Sequence, residues 1–129
     1  IVGEIGQGLC VFVGVTQGDG SIDVHRMAEK IWNLRVMDDD AGFMNLSIAE
    51  TTKTVLIVSQ FTLAADVSGG NRPSFTGAAG ADLGRRLYER VLATARAAHP
   101  QVEAGEFGAD MQVSLVNDGP VTIPIVLRR

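Results

Sequence analysis

Residues 54–63 read TVLIVSQFTL, and this stretch decides the class of fold. Its first half is continuous, apolar and β-branched at Thr54, Val55, Ile57 and Val58, the strongest strand signal in the chain. Its second half carries Ser59, Gln60 and Thr62. Burying such side chains costs free energy unless each finds a hydrogen-bond partner. Either they satisfy neighbouring backbone at a strand end, or they line a site.

Outward from this strand, strands and helices are intermixed. Residues 8–15, GLCVFVGV, are a second apolar run between glycines and read as a buried strand. TQGDGS then turns the chain, and Ser21 is expected to cap a helix whose positive end Asp23 favours. Val24, Met27, Ala28, Ile31 and Leu34 form one apolar stripe, which predicts a helix over about 22–35. MDDDAG, residues 37–42, reads as an acidic loop, and FMNLSI, residues 43–48, as a short strand. Residues 64–82 are rich in Gly, Ser, Ala and Pro and read as a long loop, a length often tied to function.

Asp82 is expected to cap a second helix to about His99, with Leu83, Leu87, Val91, Leu92 and Ala95 inward and Pro100 as its stop. Residues 101–107, 111–116 and 121–127 read as strands, the last holding Pro124 and so belonging at an edge or bulge. No repeat, linker or low-complexity segment interrupts the order. The prediction is one α/β domain over residues 1–129.

Composition removes several function classes. The chain is 46% hydrophobic and 20% charged, with a net charge of −4. An acidic chain is not built to hold long nucleic acid by counterion release, although a single nucleotide end remains within reach. The one cysteine, Cys10, rules out an internal disulfide and suits a reducing compartment. No apolar run is long enough to span a bilayer and none reads as a signal peptide, so the expected location is the cytoplasm. His25 and His99 are the only histidines, both on predicted helices, and with one cysteine they offer no zinc-site spacing. The Asp38–Asp40 run reads as a solvated acidic turn and Cys10 as a structural thiol. No Walker loop or dinucleotide fingerprint is present. No metal and no cofactor are expected.

The other polar interruption is NDGPVT, residues 117–122, set between two apolar runs. Gly119 tolerates unusual backbone angles, and Pro120 is a residue type that accepts a cis bond. On local sequence this is either a turn between strands or a rigid tool.

SQFTL and NDGPVT together resemble the two signature motifs of the D-aminoacyl-tRNA deacylases. GEIGQGLCVFVGV, MAEKIWNLRVMDD, GFMNLS, VSQFTLAAD, GNRPSF and FGADMQVSLVNDGPVT resemble further stretches of that family, in order and over nearly the whole chain. The resemblance implies an α/β fold with mixed or barrel-like sheets and two amphipathic helices, assembled as a homodimer. It implies hydrolysis of the ester that joins a D-amino acid, or glycine, to the 3′ end of tRNA. Gly119 and Pro120, with Asn117, would form the chiral selector. Backbone carbonyls of this cis-bonded pair would reach the partner's active site, hold the substrate ammonium and leave no room for an L side chain. Thr62, Ser59, Gln60 and Phe61 would build the catalytic pocket, with backbone N–H groups stabilising the oxyanion and the ribose 2′-OH helping with the proton. Thr62 would be a positioning group; without a base nearby it is a poor nucleophile.

Phe107 and Met111 match family positions that line the pocket for the terminal adenine, where a ring and a thioether suit a base face. Read alone, both residues suit core packing slightly better. Arg72 lies in the long loop within reach of phosphate. Arg85, Arg86, Arg90 and Arg96 are either a patch for tRNA backbone or a solvated helix face. The family also begins with a strand holding a QRV-like segment ahead of the equivalent of Ile1, and its arginine holds the Gly-Pro corner. This chain opens at Ile1, so that strand is expected to be lacking. Two other readings remain: a non-catalytic dimeric module that binds nucleic-acid ends, and a small-molecule ester or amide hydrolase.

Overall fold

The computed structural model describes residues 1–99 and 101–127. Three strands carry the fold: β1, Gly8–Val13; β4, Thr54–Ser59; and β5, Val102–Ala104. They form one sheet in the order β1-β4-β5, with both pairings parallel. Parallel neighbours need long crossovers, and the two helices supply them. Helix α1, Ser21–Asn33, lies between β1 and β4; helix α2, Ala81–Ala98, lies between β4 and β5. The short strands β2, Met37–Asp38, and β3, Met44–Leu46, pair antiparallel in a separate ribbon. The class is α/β as expected, but the main sheet is open and does not close into a barrel.

Both helices cover the same sheet face. Val24, Ile31 and Trp32 of α1 and Leu87, Tyr88, Val91 and Ala95 of α2 join Val55 and Ile57 of β4 and Val102 of β5 in one buried cluster. Leu9, Val11 and Val13 of β1 pack against it. Strand alternation then places Cys10, Phe12, Leu56 and Val58 on the opposite face. Val58 is buried, whereas Phe12 is exposed. Burial raises the Cys10 thiol above its ordinary range, which keeps it a neutral packing group.

Several boundaries differ from the sequence reading. Gly20 caps α1 instead of Ser21, because the Asp23 carboxylate accepts the Gly20 N–H at 2.8 Å. Gly80 takes the cap of α2, leaving Asp82 in the first turn. Leu34 ends α1, donating its N–H to the Lys30 carbonyl. The acidic loop contributes Met37–Asp38 to a strand because buried Met37 pairs with Leu46. Pro100, expected to stop α2, lies outside the described residues. The strands expected at 111–116 and 121–127 are not formed. Their backbone joins no ladder among the described residues, and Val113, Leu115, Val116, Val121, Ile123 and Val126 are exposed.

Three carboxylates tie local turns. Asp39 accepts the Ala41 and Phe43 N–H groups; Glu50 accepts the N–H and hydroxyl of buried Ser47; Asp66 accepts both groups of Ser68. Chiefly through the bonds from Phe43, Ser47 and Ser68, all three carboxyls titrate below their ordinary values of 3.8, 4.5 and 3.8. A depressed folded pKa adds stability above the unfolded value and loses it as pH falls through the folded one. The melting temperature is therefore expected to hold from neutrality down to the Glu50 reference of 4.5 and to fall below it. Thermal melts from pH 7 to pH 3 check this, and Glu50→Gln should flatten the acid limb.

Candidate active site

The strand run of residues 54–63 ends earlier than its pattern suggests. β4 stops at Ser59, and Phe61–Ala64 turns into a 3-10 helix with Gln60 as its cap. The reason lies in the neighbours. β1 ends at Val13, whose carbonyl takes the Gln60 N–H at 2.8 Å as the last rung, and β5 pairs no further than Ile57. Beyond that rung the chain has no ladder to continue, so the Leu63 N–H closes on the Gln60 carbonyl at 3.2 Å. Gly14 makes room for this turn. A Cβ there would stand 3.0 Å from Leu63 Cβ and 3.2 Å from the Gln60 oxygen.

The turn presents its side chains at the surface. Phe61 and Thr62 are exposed, and Ser59 and Gln60 are half-buried. Gln60 donates from Nε2 to Thr62 Oγ1 at 2.5 Å. A hydroxyl that accepts in this way keeps its own proton free to donate. This pairing was not legible in the sequence, where both residues stood simply as polar interruptions. Phe61 packs edge-on against Phe75 of the long loop, ring centroids 5.1 Å apart. That loop is ordered by reciprocal Asp66 and Ser74 backbone bonds and by Gln17 N–H and Nε2 donors on the Gly77 and Thr76 carbonyls.

Neither histidine joins this turn. His25 lies exposed on α1. His99 is buried, its ring N–H donating to the Lys53 carbonyl at 2.9 Å.

Phe107 packs against α2, its ring 3.4 Å from where a Cβ on Gly84 would stand, whereas Met111 lies beside Gly105. The Phe107 ring meets Tyr88 at 5.8 Å, and the Arg85 guanidinium stands 4.9 Å over it. Arg85 therefore caps an aromatic ring, a role absent from both sequence readings of the helix arginines. Met111 Sδ and Val58 Cγ1 both close over Gly105, which puts Met111 beside the residue preceding Ser59. Tyr88 ties these elements by donating its hydroxyl to the Ile57 carbonyl at 3.0 Å.

The 117–122 corner is exposed throughout. Its Gly119–Pro120 peptide bond is cis, and Gly119 has φ of 140°. Asn117 Oδ1 accepts the Val121 N–H at 2.9 Å, and Asn117 Nδ2 donates to Thr122 Oγ1 at 2.8 Å. Both bonds stay within the corner. The structure thus brings Ser59, Gln60, Phe61 and Thr62 together on one turn and places Asn117, Gly119 and Pro120 on a separate surface projection.

Comparison with known proteins follows the same two segments. The sequence model of a family described as D-Tyr-tRNA(Tyr) deacylase matches residues 1–126. A protein of Methylibium petroleiphilum named D-aminoacyl-tRNA deacylase is 63% identical over 126 residues, which is 98% of this chain and 83% of the relative. A solved structure named "c-Myc DNA Unwinding Element Binding Protein" superposes with a TM-score of 0.88 at 38% identity, over 92% of this chain and 81% of that one. Another, "Structural Analysis of a probable eukaryotic D-amino acid tRNA deacylase", superposes at 0.69 with 18% identity, over 82% and 77%, and shares the fold. With the family match running through both the 59–62 turn and the 117–122 corner, this chain belongs to the D-Tyr-tRNA(Tyr) deacylase family.

Proposed function

We propose that this protein hydrolyses the ester of D-aminoacyl-tRNA, and of glycyl-tRNA, releasing free tRNA for correct charging. The observation that carries the reading is the pair of built segments in a member of this family: the 59–62 turn and the exposed 117–122 corner.

The chemistry suits a site without histidine. An aminoacyl ester is already activated, so positioning and oxyanion stabilisation supply most of what is needed. Backbone N–H groups of Phe61 and Thr62 take the developing negative charge, the Gln60 N–H being held by the Val13 carbonyl. Thr62, fixed by Gln60, offers its proton to the substrate and is not the nucleophile. The ribose 2′-OH assists the attacking water. Carbonyls of Gly119 and Pro120 receive the substrate ammonium, and the corner excludes an L side chain. Phe107 and Met111 receive the terminal adenine. Arg72 meets phosphate.

The acting form is a homodimer in which the corner of one subunit enters the pocket of the other. Two features support this. Parallel sheets are as a rule covered on both faces, and here the face holding exposed Phe12 lies opposite both helices. Val113 and Leu115, then Val121 and Ile123, alternate as strands do while remaining exposed. The place of action is the cytoplasm. Among the described residues no helix is long and apolar enough to cross a membrane.

A non-catalytic module for nucleic-acid ends is the second reading, favoured by the likeness to a protein named for DNA binding. Turnover separates the two. Purified protein is expected to deacylate D-tyrosyl-tRNA selectively over L-tyrosyl-tRNA. Binding of tRNA with no hydrolysis of either ester would favour the second reading.

Thr62→Val tests the role of the hydroxyl. Losing one hydrogen bond of about 0.5–1.5 kcal/mol lowers kcat/KM by roughly tenfold at most. Losing a nucleophile would cost on the order of a millionfold. Single-turnover deacylation by the variant distinguishes these.

A further inference from the structure

We propose that Asn117 and Thr122 form a side-chain brace that sets the position of the Gly119–Pro120 corner, which makes Thr122 a positioning residue for stereochemical selection. The proposal rests on the reading of that corner as the selector.

The hydrogen-bond pattern assigns the atoms. The Val121 N–H has only a proton to give, so the Asn117 oxygen must face it, at 2.9 Å. That orientation turns the Asn117 NH₂ toward Thr122, whose Oγ1 accepts at 2.8 Å. The two bonds span four and five residues and close a ring around Asp118, Gly119 and Pro120. Both functional ends of the Asn117 amide are thereby engaged with the corner. Asn117, expected from sequence to bind substrate, in this proposal also sets the corner's shape.

A brace is needed because, among the described residues, no other hydrogen bond is seen to hold this segment. Residues 112–124 are all exposed and belong to no helix or strand. A corner whose carbonyls must face an ammonium within a few tenths of an ångström gains from a fixed closure. Thr122 contributes as an acceptor, a role that serine keeps and valine of the same shape loses.

The test compares wild type, Thr122→Val, Thr122→Ser and Asn117→Ala on D-tyrosyl-, L-tyrosyl- and glycyl-tRNA. Thr122→Val is expected to lower the D-to-L ratio of kcat/KM by roughly tenfold, the effect of one lost hydrogen bond. Thr122→Ser should restore the ratio. Combining Asn117→Ala with Thr122→Val should cost no more than Asn117→Ala alone, because both remove the same brace. The Val121 amide reads the brace without catalysis; its hydrogen exchange should quicken by roughly tenfold in Thr122→Val. Melting temperatures should stay together, since the corner is outside the core. A D-to-L ratio and a Val121 exchange rate both unchanged in Thr122→Val would overturn the brace and leave the deacylase reading intact. A wild type with no preference between the D- and L-esters would overturn both.

Discussion

Gly119→Ala is expected to lower kcat/KM for D-tyrosyl-tRNA by roughly 10- to 100-fold, given about 1–3 kcal/mol of backbone strain placed at the corner proposed as the selector. The cause is local and visible. Gly119 has φ of 140°, a conformation that side-chain-bearing residues rarely adopt. A Cβ there would also stand 3.0 Å from Val121 Cγ2 and 3.2 Å from the Val121 nitrogen. That nitrogen donates to Asn117, so the added methyl pushes on the bond that closes the corner. The corner relaxes by moving, and the carbonyls on either side of Pro120 move with it. An ammonium held by charge-assisted bonds of about 1.5–3 kcal/mol loses most of that energy when its acceptors turn away. The fold is far less affected, because residues 117–122 are exposed and outside the buried cluster. Steady-state kinetics beside a thermal melt checks both halves. A large drop in melting temperature, or an unchanged D-ester rate, would refute the assignment of the corner as a catalytic element.

Why some of this was legible and some was not follows from what periodicity encodes. The helix stripes and the β-branched core of β4 were readable because each element buries one face at its own period. Val24, Ala28 and Ile31, Leu87 and Val91, Val55 and Ile57 were all found inside. Trp32 and Tyr88 were missed although both are buried, because an aromatic with a polar atom sits at the margin of an aliphatic stripe. Phe61 and Leu63 alternate as a strand would, yet they turn away. What ends β4 is the length of β1 and β5, and a sequence pattern does not carry a neighbour's length. The strands expected at 111–116 and 121–127 expose a different limit. Alternation there is a pattern of side chains and does not by itself supply a neighbouring strand to pair with. The site divides likewise. The residue types of the turn and corner were legible, whereas the Gln60–Thr62 and Asn117–Thr122 pairings depend on backbone closure.

Mixing two impaired variants is expected to restore activity, and this is the sharpest consequence of the proposal that the corner serves the partner's pocket. Thr62→Trp adds bulk at an exposed position on the turn, so under the proposed function it blocks substrate without disturbing the core. Gly119→Ala spoils the corner. In a two-fold dimer each surface meets its counterpart on the other copy. If the corner crosses over, a mixed dimer has one site with an open pocket and a sound corner, and one site with both defects. Random exchange makes half of the dimers mixed, so about a quarter of all sites recover, against about a tenth or less for either variant alone. If the corner serves its own subunit, every site in the mixture keeps one defect and nothing recovers. The measurement is D-tyrosyl-tRNA deacylation before and after the two proteins are co-refolded, with sedimentation confirming a dimer. Recovery toward a quarter would place the selector in trans. A mixture no better than the average of its parts, in a proven dimer, would place it in cis and remove the cross-subunit site from the mechanism.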